Sequence, residues 1–151
     1  MSYLLPIPFS PWKTYNWLSR ELSGVIQKNL LTEEAVTEVV NGRARVEFNR
    51  WVAGGGIWHF PQQSPELTIR ISPLQPLQEQ SLSLLHEVAH LYYGVLGNAH
   101  YLRTDSFGKR TENGLLEDLL QQEAQRFYGE RKVFVDKLVR RLHEGVQLSL
   151  L

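Results

Sequence analysis

Between Arg43 and Ser72 the chain abandons helical periodicity, and that break limits its fold more than any other feature. Apolar residues fall into three short runs: Ala44, Val46, Phe48 and Val52; then Ile57, Trp58 and Phe60; then Leu67, Ile69 and Ile71. Period-two spacing of this kind belongs to strands whose alternate side chains face a core. Gly54, Gly55 and Gly56 supply a hairpin or bulge between the first two runs, and Pro61, Pro65 and Pro73 mark edges and exits. The expectation is a small antiparallel sheet.

Helical periods flank this segment. Ser10 and Pro11 suit a helix start, and Tyr15, Leu18, Leu22, Val25 and Ile26 recur at helical spacing, which predicts a helix over residues 11–30. Thr32, followed by Glu33 and Glu34, opens a second short helix that Asn41-Gly42 would stop. After Pro76 the period returns through Leu82, Leu85, Val88, Ala89, Tyr92 and Leu96 and ends near Gly97. Residues 98–114 read as a long polar loop, followed by helices over about 115–128 and 130–147. With 151 residues the chain fits one domain of the α+β class.

Composition removes several functions. Sixteen basic residues balance sixteen acidic ones, so the long-range positive field behind most non-specific nucleic-acid binding is missing and a nucleic-acid partner is not favoured. The basic stretch from Arg126 through Arg131, Lys132, Lys137, Arg140 and Arg141 is interrupted by Glu130 and Asp136 and reads as a solvated helix face. Cysteine is absent, which excludes a thiolate-held zinc and a disulfide framework. No apolar run approaches the roughly 18 residues of a membrane span. The opening residues MSYLLPIPFSPW have no basic leader, so the expected location is cytoplasmic and no membrane partner is expected.

Within the helix that follows Pro76 stands Leu85-His86-Glu87-Val88-Ala89-His90, an HExxH pattern. At about 100° per residue the two histidines lie about 40° apart on one face, one turn from each other, so both imidazoles can reach one ion. Glu87 lies about 60° from His90, close enough to address a water on that ion without binding it. Neutral imidazoles hold zinc while leaving it Lewis acidic, and a carboxylate beside it can accept a proton from water whose pKa zinc lowers to ~7. The pattern therefore predicts peptide-bond hydrolysis, with Glu87 as catalytic base and proton carrier to the departing amine. The competing readings are an ordinary helix with exposed histidines and a site that has lost its metal.

Catalytic zinc takes three protein ligands, so another element should supply one more. Glu123 is the leading candidate, on a helix whose Leu116, Leu119, Leu120 and Phe127 would press against the histidine helix. Glu117 and Asp118 compete with it, although both sit near the expected N-terminal turn, where acids also suit the helix dipole. His86, Glu87, His90, Glu123, Ala124 and Phe127 together resemble the ImmA/IrrE family of metallopeptidases. The Phe107-Gly108 step is similar to the polar loop in the zincin domains of ArdC-type antirestriction proteins. These likenesses cover about a third of the chain. They imply a zincin-like fold and a protein or peptide substrate, such as a repressor-like transcriptional regulator. They also leave a second class open: a zincin-like binding module of a mobile element or phage, engaging single-stranded DNA or a regulator with little or no peptidase activity.

The remaining candidates carry less. His59, His100 and His143 are lone histidines, and Tyr92, Tyr93 and Tyr101 are candidate oxyanion donors that are more often core residues. Trp12, Trp17, Trp51 and Trp58 are expected to anchor packing. The glycine run at 54–56 lacks phosphate-loop spacing. The tail over 146–151, with the last helix, could instead form an interface with a toxin or antitoxin partner.

Overall fold

A computed structural model of the chain describes residues 15–59, 67–95, 106–109 and 111–145, leaving aside the side chains of 15–19, 58–59 and 112–113. In chain order these form α1 (Tyr15–Lys28), α2 (Glu33–Glu38), a π-helical turn (Val39–Arg43), β1 (Ala44–Phe48), β2 (Gly55–His59), β3 (Leu67–Ile71), α3 (Leu77–Tyr92), α4 (Glu112–Glu130) and α5 (Lys132–His143). The class is α+β, as expected, with five α-helices and three strands among the described residues.

The sheet departs from expectation. It is mixed, in the order β1-β3-β2: β1 runs parallel to β3 and β2 antiparallel to it, with Val46 and Ile57 both facing Ile69 across the ladder. The glycine run thus closes no β1–β2 hairpin. Asn49 N donates to Ile71 O (2.9 Å) and Ser72 N to Gly54 O (2.7 Å), so the loop over 49–54 steps across the end of β3 from one side to the other. Gly54 makes that step with φ of 95°, a left-handed conformation that side chains disfavour. The central place goes to β3 because it is the most apolar strand: Ile69 and Ile71 are fully buried, and its Arg70 pairs with Glu47 on β1 (2.6 Å).

Helix α3 is the spine. Leu84, Leu85, Val88, Ala89 and Leu91 are buried together with the polar Gln80, Ser81, Glu87 and His90, so the helix is enclosed on several sides at once. It packs on α4, α5, β2, β3 and the π-helical turn. Leu116, Leu120, Ala124 and Phe127 of α4, with Val135, Leu138, Val139 and Leu142 of α5, continue the same hydrophobic cluster as Leu22 of α1 and Val36, Val39 and Val40. Two part-buried hydroxyl contacts lock α5 and α4 to α3: Ser81 Oγ and Tyr128 Oη both donate to Asp136 Oδ1, at 2.7 and 3.0 Å.

Helix boundaries follow the caps. Thr32 caps α2 as expected, its Oγ1 accepting from Ala35 N (3.1 Å). α4 begins three residues before the expected start, because Thr111 Oγ1 accepts from Gly114 N (3.1 Å). α3 ends at Tyr92 rather than near Gly97: Gly94 turns left-handed (φ 69°), Val95 N donates to His90 O (2.9 Å) and Gly94 N to Leu91 O (3.2 Å), the paired closure of a Schellman turn. Trp51 anchors no packing; it is 84% exposed, with the Arg50 guanidinium 5.2 Å from its ring centre. The Ser10–Pro11 start, Trp12, His100, Tyr101 and the 146–151 tail lie outside the described residues, as do the side chains of Trp17, Trp58 and His59.

A two-histidine, one-carboxylate cluster between α3 and α4

The last two turns of α3 present His86 and His90 on one side, as the HExxH spacing requires, and the ring centroids stand 5.0 Å apart, edge to face. α4 crosses opposite them and delivers Glu117. Its Oε2 lies 2.5 Å from His86 Nε2 and 3.2 Å from His90 Nε2. One ligand atom from each of the three residues falls within 4.8 Å of the others, in a group with the donor composition of a metal site.

Of the carboxylates considered on α4, the structure brings Glu117 to the histidines and takes Glu123 elsewhere. Six residues of helix separate the two by about 120° around the axis. Glu123, 3% exposed, accepts from Leu31 N (2.7 Å) and from Arg126 Nε and Nη2 (2.6 and 2.7 Å), while Arg126 Nη2 also donates to Leu31 O (3.1 Å). Tyr93 Oη donates to Asn29 O (2.8 Å) beside it, and its burial, with the nearby Glu123 charge, pushes that phenol's pKa far up. Glu123 therefore closes a knot between α4, the α1–α2 connection and the end of α3. Tyr93 is committed to that knot, not to an oxyanion, and Arg126 belongs to it rather than to a solvated basic face. Asp118 is not in the histidine cluster.

The expected start of α4 near Leu115 misplaced Glu117. With the helix opening at Glu112, Glu117 lies beyond the first turn, where the dipole argument no longer explains an acid. A signal was nonetheless present: Glu117 and Gln121 are four residues apart, the same spacing as His86 and His90, and both address His86. Gln121 Oε1 accepts from His86 Nδ1 at 2.9 Å. Sequence reasoning did not single out Gln121.

Their surroundings shift Glu117 and His90 in opposite directions. Burial alone would raise the Glu117 pKa, but its hydrogen bonds to His86 and His90 and their nearby charges hold it well below the usual carboxylate range. Burial alone would lower the His90 pKa. The Glu117 hydrogen bond, the Glu87 and Glu117 charges and the Val95 carbonyl outweigh it, and the net direction is up. A four-coordinate zinc with bonds of ~2.1 Å holds its ligands roughly 3.4 Å apart. The His90–Glu117 separation is close to that, whereas His86 and Glu117 stand at hydrogen-bond distance, closer than two ligands of one ion. Val95 O accepts from His90 Nδ1 (2.7 Å), so Nε2 is the nitrogen turned to the cluster.

Glu87 is buried beside the pair, and its charge is felt at His90. The start of β2 lies directly over it: a Cβ on Gly55 would stand 3.3 Å from Ser83 Cβ and 3.5 Å from Glu87 Oε2. His143 takes no part; its ring stacks on Phe48 at 3.6 Å, and its Nε2 lies 2.6 Å from Gln80 Oε1.

Fold and site together define an α+β protein with a two-histidine, one-carboxylate group and an adjacent acid. No protein-family model, curated protein or solved structure matches the chain.

Proposed function

We propose that the chain is a zinc-dependent metallopeptidase of zincin-like architecture, with His86, His90 and Glu117 holding the metal and Glu87 serving as catalytic base. The observation that carries this reading is the convergence of both imidazole Nε2 atoms on one half-buried Glu117 oxygen, with Glu87 one residue along the same helix as His86. Zinc held there would polarise a substrate carbonyl and lower the pKa of water to ~7. Glu87 would take the proton from that water and pass it to the leaving amine, which its place beside His90 and under β2 allows. β2 is an edge of the sheet, and an extended peptide laid along it would pass the Glu87 carboxylate.

The substrate on this reading is a protein or peptide. A repressor-like regulator as partner and kinship with the ImmA/IrrE family rest on the likeness of His86, Glu87, His90, Glu123, Ala124 and Phe127, with Glu117 in place of Glu123 as ligand; a cytoplasmic site of action rests on the lack of cysteine, which suits a reducing compartment. No helix among the described residues is long and apolar enough to cross a membrane. The test is cleavage of an unstructured protein such as casein by zinc-loaded protein, beside Glu87→Gln and His86→Ala. Cleavage by the parent alone, with zinc kept in Glu87→Gln and lost in His86→Ala, supports the mechanism. Full activity of Glu87→Gln overturns it.

A further inference from the structure

The two histidines are oriented by different means. His90 is fixed by main chain: the Schellman turn at Gly94 folds Val95 back until its carbonyl accepts from Nδ1 at 2.7 Å. His86 has no such carbonyl, because the helix continues past it. What meets its Nδ1 is the side-chain oxygen of Gln121, at 2.9 Å, one turn beyond Glu117 on α4. α4 thus sets an i, i+4 pair against the i, i+4 pair of α3: Glu117 reaches both Nε2 atoms while Gln121 holds the back of one ring.

We infer that Gln121 is the positioning residue for His86, fixing the tautomer and ring plane that turn Nε2 to the metal. An imidazole bound through Nε2 must keep its remaining hydrogen on Nδ1, and an Nδ1–H shielded from water without an acceptor is unfavourable. Gln121 Oε1 is that acceptor, so loss of the amide frees the ring to put its hydrogen on Nε2, against the ion. As a neutral amide it polarises the imidazole less than a carboxylate would, which makes Gln121→Glu a tightening change.

This inference rests on the metal-site reading, and the experiment separates the two. Zinc affinity is measured by chelator competition for the parent, Gln121→Leu and Gln121→Glu, and the His86 tautomer is read from imidazole 15N shifts of the zinc-loaded parent. The expected results are affinity about 10–100-fold weaker in Gln121→Leu, affinity equal to the parent or tighter in Gln121→Glu, and a protonated Nδ1 on His86 in the parent. Absence of zinc binding by the parent would overturn the site itself. A parent that binds zinc with His86 protonated on Nε2, or a Gln121→Leu affinity equal to the parent's, would overturn the role of Gln121 alone. Should Gln121→Leu not fold, the parent tautomer and the Gln121→Glu affinity still decide, and a Gln121→Glu protein that binds more weakly counts against the inference.

Discussion

Exchanging the fates of two glutamates on one helix separates a ligand from a structural carboxylate. Glu123→Gln keeps shape but removes the charge that accepts from Leu31 N and twice from Arg126, at 2.6–2.7 Å. Breaking one side of a buried ion pair costs about 3–5 kcal/mol. Arg126 is partly exposed and keeps Glu130 and Leu31 O, which discounts that range to about 3 kcal/mol. For a chain of 151 residues that is a fall in Tm of about 6–12 °C. Zinc affinity, measured below the lowered midpoint, should stay within about threefold, since Glu123 touches neither histidine. Glu117→Gln should do the reverse to the metal, weakening zinc by more than about 100-fold, beyond the 10–100-fold typical of a residue that only supports a ligand. Thermal unfolding and chelator competition on both variants decide it. A Glu123→Gln protein that keeps its midpoint and loses zinc would refute the reasoning.

Other outcomes follow from the same geometry. Glu87→Gln should retain one zinc while proteolysis falls by about 10²–10⁴-fold, checked by metal analysis beside a turnover assay. Gly94→Ala forces a side chain into a left-handed conformation, so it should lower stability by about 1–2 kcal/mol and also weaken zinc, as Val95 O leaves His90; unfolding and competition assays read both. Without metal, the raised His90 pKa contributes stability below its ordinary value of 6.5, lost as pH rises through the folded value. The lowered Glu117 pKa contributes above 4.5, lost as pH falls. Zinc needs the deprotonated nitrogens, so the rise in Tm on adding zinc should grow from pH 6 to pH 8, measured by thermal unfolding at fixed zinc. A zinc shift that shrinks over that range would count against the cluster as the binding site.

The parts of the fold that one residue's neighbours decide were legible. The HExxH face, the Thr32 cap and the alternation in β3 are local patterns, and each sits where its spacing puts it. Strand order was not legible, because nothing local in β1 or β2 says that β3 will enter between them; that depends on the buried demand of Ile69 and Ile71. The carboxylate that meets the histidines was hidden for a related reason. With the helix started near Leu115, Glu117 reads as a first-turn acid that suits the dipole, and the Thr111 cap, which moves that start to Glu112, takes the reason away. Glu123 carries the sequence marks of a buried functional acid, but its partners are Leu31 and Arg126, far from it or silent in pattern.

The central claim is that His86, His90 and Glu117 make a single metal site, and elemental analysis of the full chain purified without chelators addresses it most directly. The account predicts about one equivalent of zinc per chain after zinc is offered, lost in His86→Ala and in Glu117→Gln but kept in Glu123→Gln. Less than about a tenth of an equivalent of any transition metal in the parent protein would contradict it.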